Sequence, residues 1–402
     1  LPITTIHAII IPVGFSDRLL MMECPVTALK IKDLLKLAGK LVLGLFLAFL
    51  LFEAVLAIAC SRGLLPIPIP SYRFANITSQ FWVDMNSDFG VWHEPNSSYY
   101  HVTTSYKVSY QANSWGARDR ERLLDSVGRK RVIVLGDSFT EGYGVETGKR
   151  FSDLLETATG LEHLNFGTAG SFGPTQYYLL YKTMAKKFSH DAVMVCILPF
   201  NDFLDDDYDY GKVAHSSRYR PFFTGRYPDY RLTYPQKELP PRRNKYFENF
   251  LREFTYTGNL LKFLKDIRKH KATNLPADYA GYFDYTREQW QRLCYVLGLI
   301  KSEAGGRQVI ILTIPSIQDF ARLDKGAKPA LPDELAAFCK SAGMTYLDIL
   351  PAIKAAPKGY RTCYYSGDPH WNAAGNRIAA DYIRSNVEWY KKAETAALPD
   401  KL

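Results

Sequence analysis

Ser138, Asn201, Asp368 and His370 are the residues of this chain whose types and settings allow acyl chemistry. A serine hydroxyl is a poor nucleophile near neutral pH. It needs a base within hydrogen-bond reach, a group that orients the base, and donors for the oxyanion. Ser138 stands in Arg131 to Gly142, RVIVLGDSFTEG, where the apolar run Val132 to Leu135 stops at Gly136. Mostly β-branched residues with no polar break are the composition of a strand buried on both faces of a parallel sheet. In open α/β sheets ligands bind at the carboxyl edge, so a hydroxyl on a glycine turn there is placed like a nucleophile. The plainer reading is a strand followed by a helix cap, with Asp137 or Ser138 accepting a backbone N–H. Partners delivered by other strand ends decide between the two.

The carboxyl-terminal region supplies a base and its orienting group. Ser366 to Asn376, SGDPHWNAAGN, puts His370 in the loop after the last expected strand, with Asp368 two residues earlier. Asp368 is placed to hold the Nδ1–H of His370 and leave Nε2 facing the serine. Donors come from two further strand ends. Asn165 to Gly173, NFGTAGSFG, is a glycine-rich loop in which Gly170 can present an unobstructed N–H, and Pro199 to Asp202, PFND, places the Asn201 amide just past the next strand. The N–H of Ser138 is a third donor.

These loops need strands beneath them. Apolar runs at Val132–Leu135, Leu161–Phe166, Ala192–Leu198, Gln308–Ile314 and Thr345–Leu350 alternate with helical patterns near Lys149–Thr159, Thr175–Phe188, Thr286–Ala304, Pro332–Ala342 and Asn372–Val387. That alternation predicts an α/β domain with a five-stranded parallel sheet covered by helices. It is interrupted at 203–285 by an insertion rich in tyrosine and arginine. Ser216 to Pro235 reads as irregular or a hairpin, and Lys245 to His270 as helical. Leaving the sheet at the same edge as Ser138, the insertion is either a cap over the site or a peripheral subdomain. Its Tyr208, Arg218 and Arg220, with Trp371 beside the base, are the candidate substrate-binding residues; ordinary packing and solvated charge explain them equally.

Gly136-Asp137-Ser138, Gly170, Asn201-Asp202 and Asp368-Pro369-His370 resemble, in order, the four sequence blocks of the SGNH, or GDSL-like, hydrolases. The resemblance spans about Arg131 to Val387, apart from the insertion. It implies a flavodoxin-like three-layer fold and a Ser138-His370-Asp368 triad. It also implies an oxyanion hole of Ser138 N–H, Gly170 N–H and the Asn201 amide, and no cofactor or metal. Two features depart from the family pattern: Pro199 stands where glycine is common, and Asp368 is two rather than three residues before His370. The shorter spacing, followed by Trp371-Asn372, is similar to the branch of membrane-associated polysaccharide O-acetylation proteins. The resemblance therefore implies a serine esterase acting on an acyl ester, O-acetyl on a cell-surface glycan being the expected substrate. O-acetyl transfer through the same acyl-serine, and a catalytically silent carbohydrate-binding module, are the alternatives.

The amino terminus carries the targeting signal. Leu41 to Ala59, LVLGLFLAFLLFEAVLAIA, has about the ~20 residues that cross a bilayer as a helix, with Glu53 its only charge. Lys30, Lys32, Lys36 and Lys40 precede it while only Arg62 and Arg73 follow closely, so the positive-inside bias places residues after Ser61 outside the cytoplasm. Cleavage as a signal peptide and lipidation at Cys60 are the rivals. Met21 or Met22 opens a lysine-bearing leader, which leaves open whether residues 1–20 are native. The expected organisation is a leader 1–40, a membrane helix 41–60, a proline-rich linker 61–71 and a β-rich lead-in 72–130. The catalytic domain follows at 131–390, and then a tail 391–402.

The 402 residues are 47% hydrophobic and 23% charged, as in a folded protein. A net charge of +9 invites nucleic acid, but the basic residues are dispersed, with only short clusters such as Arg242–Arg243, and no nucleic-acid motif accompanies them. Six cysteines show neither CxxC pairs nor zinc spacing, which leaves one bridge among the later cysteines possible on export. Asp205, Asp206, Asp207 and Asp209 resemble a calcium loop, yet Gly211 falls one position late, so a solvated acidic turn is expected.

Overall fold

The computed structural model describes residues 31–240 and 245–391. Cys24, Lys30 and the rest of the leader before residue 31, the Arg242–Arg243 pair, and the tail from residue 392 lie outside the described residues. The chain divides into two units between Phe52 and Glu53.

Five parallel strands form the centre of the larger unit: Arg131–Leu135, Glu162–Asn165, Ala192–Ile197, Gln308–Thr313 and Thr345–Asp348. Numbered in chain order they lie 2-1-3-4-5, the first pairing with the second through Ile133 and Leu164 and with the third through Ile133 and Val193. Every residue of the first and third strands is buried, which is why their sequences are continuous apolar runs rather than alternating ones. Such an order opens a crevice at the carboxyl ends of the first and third strands, where the winding reverses. Ser138 follows the first strand and Asn201 the third.

The expected helices are present as Phe151–Thr159, Pro174–Thr183, Arg287–Ala304, Leu331–Ser341 and Ala373–Asn386. Four of them pack in pairs, Pro174–Thr183 with Arg287–Ala304 and Phe151–Thr159 with Ala373–Asn386, and Leu331–Ser341 packs on the strand Thr345–Asp348. Two of the five start on side-chain caps: Thr286 accepts from Gln289 N at 3.2 Å and Asn372 from Ala374 N at 2.8 Å.

The lead-in is β-rich as expected, with hairpins Val83–Asn86/Gly90–Trp92 and Ser98–Val102/Lys107–Gln111. In the insertion, Phe222–Arg226 and Asp229–Thr233 form a hairpin. The helical stretch Lys245 to His270 is two helices, Tyr246–Phe254 and Tyr256–Ala272. Thr255 breaks it by turning extended and capping the second helix through Oγ1, which accepts from Gly258 N at 2.9 Å.

The helix Ile31–Ser61 contains, over Lys32–Ser61, a stretch long and apolar enough to cross a membrane, with hydropathy 2.7; a signal sequence has the same composition. Glu53 accepts from the N–H groups of Tyr256 at 2.7 Å and Thr257 at 2.8 Å, so its charge meets the amino-terminal dipole of Tyr256–Ala272. The five described cysteines are free thiols, so the bridge left open for export is not formed among them.

Candidate active site

The turn at Asp137 and Ser138 carries both a helix cap and a serine hydroxyl that faces a histidine. Asp137 Oδ1 accepts from Phe139 N at 2.9 Å and caps the short helix Ser138–Glu141, while Ser138 is that helix's first residue with its hydroxyl turned outward to a base. Being first in the helix, Ser138 keeps an N–H with no acceptor among the described residues. Gly136 is required by space: a Cβ there would stand 2.0 Å from Thr140 Oγ1.

His370 Nε2 lies 2.7 Å from Ser138 Oγ, and its Nδ1 lies 2.6 Å from Asp368 Oδ1. His370 is not in a loop. It stands on the short strand Asp368–Trp371, paired antiparallel with Tyr364–Tyr365. Side chains two apart on a strand share a face, so the two-residue spacing that departs from the family pattern is the one this backbone needs. Asp368 also accepts from His370 N at 3.0 Å and from the phenol of Tyr106 at 2.9 Å. Burial pushes the Asp368 carboxyl up, but His370 and then Tyr106 outweigh it and hold it at about 2, so it is ionised at neutral pH. The rings of Tyr143 at 4.5 Å and Phe139 at 5.0 Å fix the imidazole plane.

The glycine loop is tied to the serine turn. Asn165 Nδ2 donates to Thr140 O at 2.7 Å, and Ala169 N donates to Glu141 Oε2 at 2.5 Å. Glu141 is fully buried and also accepts from Trp82 Nε1 at 3.0 Å, with His93 Nε2 3.5 Å away. Burial raises its carboxyl; His93 and Arg118 outweigh that and leave it below its ordinary value. One residue beyond Ala169, Gly170 has φ +105 and an N–H with no acceptor among the described residues. Asn201 Nδ2 donates to Asp137 Oδ2 at 3.1 Å, which orients the amide and leaves its second N–H available. Burial pushes Asp137 up to about 6, against the lowering effect of the Asn201 and Phe139 donors.

The candidate substrate residues divide. Arg218 lies beside the glycine loop, Nη2 3.4 Å from Gly170 O and Nε 3.2 Å from Asp84. Arg220 is not on the surface: it is 3% exposed, bonds Ser171 O and stands 3.6 Å from Asp205, bracing the loop from behind. Trp371 is 2% exposed and packs edge-on against Phe139, so it belongs to the core. Tyr208 meets Phe222 edge-to-face and has Lys212 Nζ over its ring at 4.7 Å, all within the insertion. The acidic turn is solvated only in its second half: Asp209 is exposed and Asp207 half-buried, whereas Asp205 and Asp206 are buried and Asp206 accepts from Thr175 N at 2.8 Å at the start of Pro174–Thr183. Among the described residues no acidic, histidine and cysteine cluster could hold a metal ion.

Tyr106, Tyr143 and Glu141 escaped the sequence reading. Glu141 sits inside the GDSFTEG stretch and was legible as a buried carboxylate candidate, whereas Tyr106 meets Asp368 across 262 positions and left no local signal.

No family profile matches the chain, and no curated protein matches it in sequence. Among solved structures it is similar to a lipase/acylhydrolase from Enterococcus faecalis, with 12% identity, 68% of this chain and 100% of that one covered, and a TM-score of 0.36. It is also similar to a member of the lipolytic G-D-S-L family from Veillonella parvula, with 13% identity, 64% and 98% covered, and a TM-score of 0.33. A third is a carbohydrate esterase family 2 enzyme with a carbohydrate-binding domain from Corynascus thermopiles, with 16% identity, 66% and 68% covered, and a TM-score of 0.31. At identities and scores of this size, the chemistry is read from this chain's own side chains.

Proposed function

We propose that the chain is a membrane-anchored serine esterase that cleaves an acyl ester, with O-acetyl groups on a cell-surface glycan as the substrate class. The observation that carries this reading is the relay of 2.7 Å from Ser138 to His370 and 2.6 Å from His370 to Asp368. Ser138 Oγ attacks the carbonyl carbon as His370 Nε2 takes its proton. Asp368 holds Nδ1–H and stabilises the imidazolium. The N–H groups of Ser138 and Gly170 and the free N–H of Asn201 receive the oxyanion. Collapse passes the proton from His370 to the leaving alcohol. Water then attacks the acyl-serine with His370 again as base. The lysines before the apolar helix favour a single-pass anchor with the catalytic unit outside the cytoplasm.

The test is turnover of a short activated acetate ester by the full chain in detergent, with released acetate and acetyl transferred to added polysaccharide followed together. Ser138→Ala is expected to lower kcat by about 10⁵-fold or more, since nucleophile and base act as a unit. Equal turnover in that variant would remove Ser138 from the mechanism, and net acetyl gain on the polysaccharide would turn the reading to transfer. Digestion of the catalytic unit by protease added to intact spheroplasts supports the topology, and protection until lysis reverses it.

A further inference from the structure

A cavity of about 700 Å³ lies where the lead-in meets the insertion, a size suited to a small-molecule ligand. Two of its lining residues each touch the candidate catalytic machinery. Tyr143 faces the cavity and has its ring 4.5 Å from that of His370. Arg218 faces it and lies 3.4 Å from the carbonyl of Gly170. The cavity therefore begins one side chain away from the base and from an oxyanion donor, on the side formed by segments outside the five-stranded sheet.

Its lining has a distinct chemistry. Trp82, Tyr100 and Tyr143 are half-buried and supply aromatic faces, the surfaces on which sugar rings stack. The acidic groups in the wall are largely engaged within the protein. Asp84 is held by Arg218 and by Tyr219 N at 3.2 Å, and Glu253 by Asn76 at 2.9 Å and Tyr99 at 3.3 Å. Arg252 is different, since its Nε is buried without a hydrogen-bond partner. Arg252 also lines the cavity, is half-buried and forms no ion pair with a described carboxylate, so its guanidinium charge is available to an anionic ligand.

We propose that this cavity receives the saccharide alcohol of the ester, and that the saccharide carries an anionic group, a uronate or a phosphate, met by Arg252. The proposal rests on the esterase reading and names its substrate class. The aromatic faces hold the rings, Arg252 selects the charge, and the acetylated hydroxyl is presented past Tyr143 toward Ser138.

The experiment compares the full chain in detergent on four probes: an O-acetylated hexuronate oligosaccharide, an O-acetylated phosphosaccharide, a neutral acetylated oligosaccharide and a short activated acetate ester. Arg252→Gln is expected to lower kcat/KM for an acidic saccharide relative to the neutral one by about tenfold, chiefly through KM. The acidic probe that shows the loss identifies the anion. Tyr100→Ala is expected to lower kcat/KM for both kinds of saccharide relative to the short ester. Ratios within about twofold of wild type in both variants would overturn the cavity assignment while leaving the esterase intact. If the wild type cleaves none of the probes, the esterase reading falls. Calorimetric binding of the hexuronate and phosphate probes to Ser138→Ala and to Ser138→Ala/Arg252→Gln then decides the cavity separately. Tighter binding in the first supports it, and equal or absent binding overturns it.

Discussion

Tyr106, on the turn that enters the lead-in strand Lys107–Gln111, donates its phenol O–H to Asp368 Oδ2 at 2.9 Å, on the oxygen that His370 leaves free. The lead-in is thereby tied to the candidate triad. Asp368 has one oxygen committed to the base and the other to a buried phenol, which fixes the carboxylate plane and helps hold it ionised.

Tyr106→Phe removes that donor and keeps the ring packed 4.8 Å from Tyr365. A hydrogen bond to a charged group contributes about 1.5–3 kcal/mol, and reorganisation of Asp368 recovers part of it. The expected result is a fall in kcat of about tenfold with KM little changed. Steady-state kinetics on a short ester check this, and wild-type kcat in the variant would show that Asp368 is oriented by His370 alone.

Asp368→Asn keeps the strand geometry that places positions 368 and 370 on one face, but it offers an amide where the base needs an acceptor. With its tautomer no longer fixed, His370 is expected to lose about 10³–10⁴-fold in kcat at unchanged fold, as in serine hydrolases whose aspartate is amidated. Circular dichroism and kinetics on the same preparation separate this loss from misfolding.

Much of this arrangement was legible because it is local. The buried strands read as continuous apolar runs, two of the helices carry cap residues, Thr286 and Asn372, and Ser138 and Asn201 each stand within a few residues of a strand end. What stayed hidden depends on contacts between distant segments. Trp371 and Arg220 looked like surface binding residues because aromatics and arginines beside a catalytic loop often are, yet the sheet edge folds both inward. The hairpin carrying His370 is two residues long on its first strand, too short for any alternation to register. Thr255 was readable as a cap, but continuous apolar periodicity on both sides of it concealed the break.

Gly170 has φ +105, a conformation that L side chains rarely adopt, and a Cβ there would stand 3.0 Å from Arg218 Nη2 and 3.1 Å from Val91 Cγ2. Gly170→Ala must therefore shift the loop that carries a candidate oxyanion N–H. The expected cost is about 1–2 kcal/mol of stability and about 10²-fold in kcat. A urea midpoint measured beside kcat separates the two. Full activity at reduced stability would take Gly170 out of the oxyanion hole.

The pH dependence of stability follows from carboxyls shifted in opposite directions. Burial raises Asp137, Asp206 and Asp319 to about 6, above the ordinary carboxylate value, so the fold prefers their protonated forms. The stability each contributes is fully present below about pH 4 and is lost as pH rises through about 6. Asp368, held at about 2, works the other way: its contribution is present above about pH 4 and is lost as pH falls through about 2. The urea midpoint of the detergent-solubilised protein should therefore be highest near about pH 4, decline toward about pH 6 and level off above about pH 7, each buried carboxyl accounting for a few kcal/mol at most. Asp137→Asn isolates one of them. Asparagine keeps an oxygen for Phe139 N–H but cannot ionise, so the variant should exceed wild type in midpoint near about pH 8 and lose that advantage near about pH 4. Its activity should fall all the same. The new amide at 137 faces Asn201 Nδ2, and Asn201, whose Oδ1 is buried without a partner, gains by turning that oxygen toward it and withdrawing its N–H from the oxyanion. A loss of about 10²-fold in kcat, the scale of one oxyanion donor, is expected alongside the raised midpoint. A wild-type midpoint that stays flat from about pH 4 to 7 would show that the Asp137 carboxylate does not strain the fold, and an Asp137→Asn enzyme at full rate would show that it does not orient Asn201.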